Sequence, residues 1–193
     1  MRVLAISGSL RSGSLNSELL RLAAGSAPDD VEVGLYDGLK QIPPYDADDE
    51  GSGAAAVEAF GAAVRDADAV LVSTPEYNGS IPGVLKNAVD WASRPDIVEG
   101  PFWGKPVAVV SASTGSFGAI WAQTDLNKVL KMVGARVVET GLAVAKAHER
   151  LVAPDDELVD DLQRVFGLLA AELPAPAATE VPAEALVRVA AAA

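Results

Sequence analysis

The chain contains no cysteine and a single histidine, His148. Disulfide scaffolds, cysteine-ligated zinc, iron–sulfur clusters and thiol catalysis are thereby excluded. One histidine rules out a multi-histidine metal site and leaves a Ser-His-Asp triad only one possible base. No Gly-x-Ser-x-Gly surrounds a candidate nucleophile, which disfavours a serine hydrolase. Positive charge is also scarce: 15 Lys and Arg face 27 Asp and Glu, a formal net charge of −12. A surface of that sign suits neither nucleic acid nor anionic membrane, so no such partner is expected. An anionic ligand would need a local device to hold it. Long apolar runs are missing too, and the stretch Met1 to Ile6 is too short for a signal peptide's hydrophobic region. No lipidation motif stands at either end. These features are compatible with a reducing cytosol, and a cytoplasmic protein is the expectation.

Hydrophobic residues make up 50% of the 193, enough for one packed core. They fall in an alternating pattern. Val3 to Ile6, Ala69 to Val72 and Pro106 to Val110 are short unbroken apolar runs, the mark of strands buried on both faces. Val31, Val33 and Leu35 alternate and predict another strand, and Arg136 to Val144 holds a fifth with a break near Gly141. Between them, Leu15–Leu19–Leu22, Val57–Phe60–Val64, Val84–Leu85–Ala88 and Leu126–Val129–Leu130 recur at helical spacing. Leu158, Leu162, Val165 and Phe166 predict a last helix, with Asp155 or Asp156 as its N-cap. Strands alternating with helices imply an α/β fold, an open doubly wound parallel sheet with helices on both faces. The domain is expected over 1–173, followed by an Ala/Pro-rich C-terminal tail, 174–193.

In such a sheet ligands sit beyond the carboxyl ends of the strands, where the strand order reverses. Three loops there have a telling composition. The first, Gly8 to Asn16, lacks the P-loop lysine and does not match Gly-x-Gly-x-x-Gly. It offers hydroxyls, an amide and Arg11 at the start of a helix, a setting that suits a phosphate monoester; it would equally serve as an ordinary turn with capping serines. The second, Thr74 to Gly83, is stiffened by Pro75 and Pro82 and carries Tyr77 and Asn78, features for the edge of a flat heteroaromatic ring. The same loop could be a rigid connector with Tyr77 packed on a helix. The third, Ser111 to Gly118, is small and polar, so its backbone could approach a ring or simply connect two elements. A phosphate beside a planar ring describes flavin mononucleotide, FMN.

The segments Gly8-Ser9-Leu10-Arg11 with Ser14 and Asn16, and Pro75-Glu76-Tyr77-Asn78-Gly79-Ser80-Ile81-Pro82-Gly83 continuing to Asn87, resemble the flavodoxin-like NAD(P)H-dependent FMN reductases. That family includes quinone, chromate and azo-dye reductases. The resemblance runs from Met1 to about Ala171 and implies a five-stranded sheet in the order 2-1-3-4-5. It implies that Ser9, Arg11, Ser14 and Asn16 hold the phosphate. Pro75, Glu76, Tyr77, Asn78 and Gly79 would line the ribityl chain and isoalloxazine, with Ser113, Gly115 and Ser116 reaching the ring from the third loop. It further implies ping-pong electron transfer from NADPH or NADH through FMN to a small-molecule acceptor, with no catalytic side chain and no metal. A homodimer or homotetramer is implied, with the helix after Ile81 near the interface; Trp91 on that helix would then be in a contact, although a single tryptophan on a helix is more often core. His148 receives no role. The competing reading is a flavodoxin-type electron carrier, although the first loop lacks a Thr-x-Thr-Gly-x-Thr pattern. A flavin-free nucleotide-binding regulator is a further alternative.

Overall fold

The computed structural model describes residues 1–94 and 98–174. Strands β1 (Arg2–Ser7), β2 (Glu32–Tyr36), β3 (Ala69–Thr74) and β4 (Pro106–Ala112) alternate with helices α1 (Leu15–Gly25), α2 (Ala55–Asp66) and α3 (Gly83–Ala92). After β4 come α4 (Ile120–Met132), two short strands, β5 (Arg136–Val138) and β6 (Ala143–Val144), then α5 (Ala147–Arg150) and α6 (Asp156–Ala171). All strand pairs are parallel, in the order β2-β1-β3-β4-β5, with β6 also on β4. This is the flavodoxin-like order that the resemblance implied. The fifth position is shared by β5 and β6, and the chain between them turns at Gly141, whose φ is +64°. That is the expected interruption.

Every residue of β3 and of β4 is buried, because helices cover both faces of the sheet. The period of two along each strand sorts its side chains. Ala5, Leu71 and Val110 pack with Leu19 of α1 and Phe166 of α6, while Ile6, Val72 and Val109 pack with Phe60 of α2, Leu85 of α3 and Leu126 of α4. Burying one such Leu or Phe is worth roughly 1.5–3 kcal/mol, so these two apolar layers fix which face of the sheet each side chain takes. β2 is an edge strand, and its Leu35 is exposed. Asp155 is the N-cap of α6, its carboxylate accepting from the Leu158 N–H at 2.8 Å.

Three elements were not foreseen: 3₁₀ turns at Gly38–Gln41 and Ala47–Asp49, and the single-turn α5. Of the two places open to Trp91, the structure takes the core. Trp91 is not available for a subunit contact in this chain: it is buried, its indole N–H donates to the Pro43 carbonyl at 2.9 Å, and its ring meets Tyr45 edge-on at 5.0 Å. A tryptophan on the inner side of an amphipathic helix goes to the core when the neighbouring loop supplies an acceptor for its N–H. Of the expected tail, only Pro174 is among the described residues.

Candidate active site

The three loops leave the carboxyl ends of β1, β3 and β4, which are neighbours in the sheet. The β1 loop stays close to β3, because the Gly8 N–H donates to the Ser73 carbonyl at 2.8 Å. A Cβ at Gly8 would lie 3.0 Å from a Leu85 methyl and 3.3 Å from Pro75, so this backbone passes tightly between α3 and the β3 loop. From there the chain turns outward. Arg11 is exposed, and its guanidinium donates to the Gly13 carbonyl at 2.8 Å. Ser9 accepts a long bond, 3.4 Å, from the Arg11 N–H. Ser14 is buried as the N-cap of α1, its hydroxyl accepting from Ser17 N–H at 3.3 Å. The first turn of α1 therefore presents helix N–H groups at this loop, a favourable place for an anion.

Asn16 departs from the role expected of it. It is 3% exposed and faces inward, not toward the loop's open side. Its Oδ1 accepts from the Ser73 hydroxyl at 2.8 Å and from the Ala112 N–H at 3.1 Å, and its Nδ2 donates to the Ala112 carbonyl at 3.0 Å. The fold itself uses this amide.

The β3 loop is a tight hairpin. Tyr77 and Ser80 exchange backbone hydrogen bonds at 3.0 and 3.2 Å, and Asn78 and Gly79 between them have φ of +54° and +76°. Positive φ at both central residues is the signature of a type I′ turn, for which Asn-Gly is the favoured pair. The turn holds Tyr77 out, 49% exposed. Glu76 points the other way. One oxygen of its carboxylate accepts from the N–H groups of Trp121 and Ala122 at 3.1 and 3.2 Å, capping α4 with a negative charge at the positive end of the helix dipole. Ser80 adds a second tie to α4, donating to Asp125 at 2.7 Å. Sequence reasoning missed these two staples, because their partners lie about 45 residues downstream.

The β4 loop is anchored from below. The Ser111 hydroxyl donates to the Gly118 carbonyl at 2.6 Å, and the buried Gln123 side chain donates to Val109 and Thr140. Ser113 bonds Val144 and Ala147 through its backbone, and the Gly115 carbonyl accepts from the Lys146 N–H. Gly115 and Ser116 remain exposed, as does the aromatic pair Phe117 and Trp121, whose rings lie 5.1 Å apart. A signal for this scaffold was present: Ser73, Thr74 and Ser111 are polar residues closing otherwise apolar strands, and all three are fully buried.

Between the first two loops lies a cavity of about 450 Å³, lined by Gly8, Leu10, Arg11, Tyr77, Pro82, Gly83 and Val84. Ser9 lines an adjoining hollow of about 280 Å³ with Ser7 and Ser17. Ser113, Gly115 and Ser116 stand outside both linings. The cavity is of a size that takes a small organic ligand, and it joins one cation to one aromatic face. Those features fit a phosphate monoester carrying a flat ring. A more open groove of about 910 Å³ lies at the amino ends of the strands, lined by Arg2, Asp68, Trp103 and Lys105 among others. It is the wrong end of a parallel sheet for a ligand, and its Lys105 is engaged, donating to the Arg65 and Ala67 carbonyls that end α2. Among the described residues, no group of His, Cys, Asp and Glu could hold a metal ion. Nor is any described helix long and apolar enough to cross a membrane.

Known proteins are similar to this chain in sequence and in fold. The family model for NADPH-dependent FMN reductase matches residues 1–149. The NAD(P)H-dependent FMN reductase of Pseudomonas aeruginosa is 43% identical over 165 residues, covering 85% of this chain and 88% of the relative. The quinone reductase of Escherichia coli is 37% identical over 176 residues, covering 89% of this chain and 93% of the relative. Among solved structures, the flavoenzyme NAD(P)H:(acceptor) oxidoreductase FerB from Paracoccus denitrificans is similar with a TM-score of 0.69 at 31% identity, over 85% of this chain and 98% of its own. With a 43% identical relative and a family model spanning all three loops, the chain belongs to the NADPH-dependent FMN reductase family.

Proposed function

We propose that the cleft at the carboxyl ends of β1, β3 and β4 seats FMN, phosphate toward Arg11 and ring toward Tyr77, and that the acceptor is a quinone. The protein is an NAD(P)H-dependent oxidoreductase of the FMN and quinone reductase type. The observation that carries the site assignment is the shared lining of one cavity by Arg11 and Tyr77. Bound FMN supplies the two-electron chemistry, so the protein needs no nucleophile of its own. Arg11 contributes charge, Ser9 a hydroxyl and the start of α1 its N–H groups, all directed at the phosphate. The ring edge runs along Pro75, Tyr77, Asn78 and Gly79, where the type I′ turn keeps the backbone in one shape. Ser113, Gly115 and Ser116 face the ring from the β4 loop, whose position Glu76 fixes through α4. Tyr77 borders the place where nicotinamide and quinone are received in turn.

Naming of the relatives as reductases weighs against the electron-carrier reading. Consumption of NAD(P)H suits a cytoplasmic enzyme. The assembly is a homodimer or homotetramer, a reading supported by the exposed Phe117, Trp121, Tyr77 and Val84 around the site. Steady-state oxidation of NADPH and NADH by the purified holoprotein, with a benzoquinone as acceptor, tests the activity. Turnover with the quinone is expected, and a flavin-loaded protein inert toward both nucleotides would return the carrier reading. Light scattering tests the assembly, and a mass of about 20 kDa, that of one 19.8 kDa chain, would overturn it.

A further inference from the structure

The Asn16 side chain ties the helix that follows the β1 loop to the ends of β3 and β4 at one point. Asn16 stands on α1, just after the β1 loop; Ser73 lies at the end of β3; Ala112 is the last residue of β4. The register explains why an amide is needed there. β3 and β4 pair up to Thr74 with Ser111, and then β3 leaves the sheet at Pro75. The N–H groups of Ser111 and Ser113 donate toward Leu142 and Val144 on the β6 side. By the alternation of a strand, Ala112 directs its own N–H and carbonyl to the other side, which β3 has just vacated. Asn16 fills that gap, taking the N–H with Oδ1 and satisfying the carbonyl with Nδ2. The Ser73 hydroxyl completes the joint. Left alone, these buried groups would carry a desolvation penalty.

We propose that Asn16 is a positioning residue that sets the spacing between the phosphate-binding β1 loop and the ring-binding β3 and β4 loops, and makes no contact with the phosphate. The inference rests on the FMN site proposed above. A carboxylate in its place would accept from Ser73 and Ala112 but would oppose the Ala112 carbonyl, so the amide is chemically specified.

The test compares FMN with riboflavin, which lacks the phosphate, by fluorescence titration of the flavin-stripped protein. Asn16→Ala should weaken both flavins by about tenfold, the equivalent of one or two hydrogen bonds, and leave their affinity ratio unchanged. The visible absorption and circular dichroism of the bound flavin should change as well, because the β3 and β4 loops surround the ring. Arg11→Ala is the control: it should weaken FMN alone and spare the ring spectrum. Ser73→Ala, on β3 and one step removed, should reproduce the Asn16→Ala pattern at smaller amplitude, and it carries the test should Asn16→Ala fail to fold. A collapse of the FMN-to-riboflavin ratio in Asn16→Ala would make Asn16 a phosphate ligand and overturn the inference. Unchanged flavin affinities with only a lowered melting temperature would also overturn it, by reducing the joint to core stability. Wild-type protein that binds neither flavin would instead overturn the site on which the inference stands.

Discussion

The two ends of the sheet treat their polar groups differently. At the amino ends, where Arg2, Arg65 and Arg136 also line the groove, Lys105 is consumed by the fold. Lys105 donates to the carbonyls that end α2, and burial pushes its ammonium below the ordinary lysine value, with Asp68 and Asp66 opposing that shift. At the carboxyl ends, the buried hydroxyls and amides satisfy one another, while Arg11 and Tyr77 remain on an open lip. The groove at the amino ends is about twice as large, yet the site proposed for FMN is at the other end. Cavity size and the count of charges do not by themselves identify a site; its place at the carboxyl ends of the strands and the chemistry of its lining weigh more.

That difference would be broken most severely at Gly118. Its φ is +61°, and a Cβ there would run into the backbone of Ala143. Gly118→Ala should cost about 2–4 kcal/mol, from left-handed strain plus the clash, measured as a shift of the urea midpoint. It would detach the β4 loop from β6 and blur the carboxyl end as a unit. A midpoint within error of wild type would mean that this loop adapts freely.

Arg11→Ala comes next. A charge-assisted bond to a phosphate is worth roughly 1.5–3 kcal/mol, so FMN should bind one to two decades more weakly. Riboflavin affinity and melting temperature should hardly move, since Arg11 is exposed. Equal losses for both flavins would place the phosphate elsewhere.

Tyr77→Ala should act on the acceptor more than on the fold. The ring is 49% exposed, so little core is lost. Apparent affinity for a quinone should fall by about 0.5–1.5 kcal/mol, the value of an aromatic pair beyond area burial, and chromate, which cannot stack, should be less affected. Unchanged quinone kinetics with a strongly lowered melting temperature would assign Tyr77 to packing.

How far the sequence revealed this arrangement depends on the range of each interaction. The strands, the helices and the break at Gly141 were legible because periodicity, buried apolar runs and turn residues are local signals, whereas the sheet order came from the family resemblance. The β1 and β3 loops were legible through contiguous motifs. What escaped were tasks assigned across the fold. Glu76 and Asn16 sit within those motifs, yet one caps α4 and the other bridges to Ala112, 96 residues away. A motif shows which residue types gather at a place, while the direction each side chain takes is decided by neighbours that only tertiary structure brings near. Trp91 is the same lesson inverted: its helix was read correctly, but the acceptor for its N–H, the Pro43 carbonyl, comes from a distant loop.

The smallest expected effect sharpens the comparison from the amino end. Lys105 has a folded-state pKa below its unfolded one, with burial as the first cause. In the window just under the ordinary lysine value, the unfolded chain therefore holds the proton more often than the folded protein does. Stability attributable to this group should rise with pH across that window. Tyr36, raised chiefly by burial, and Tyr45, raised chiefly by its bond to Glu50, shift in the opposite sense. Each keeps its proton longer when folded, so each contributes stability that is lost as pH climbs through the tyrosine range. Total stability against pH thus mixes the two signs, and only the difference between wild type and Lys105→Met isolates the lysine. That difference, from urea unfolding at pH 8, 9 and 10 (roughly the lysine and tyrosine range), should shift in favour of the wild type as pH rises. Flavin affinity should be unaffected at every pH, because the substitution lies at the end of the sheet that has spent its charge on helix α2. A change in FMN binding on Lys105→Met would show the two ends to be coupled, and the contrast drawn between them would fail.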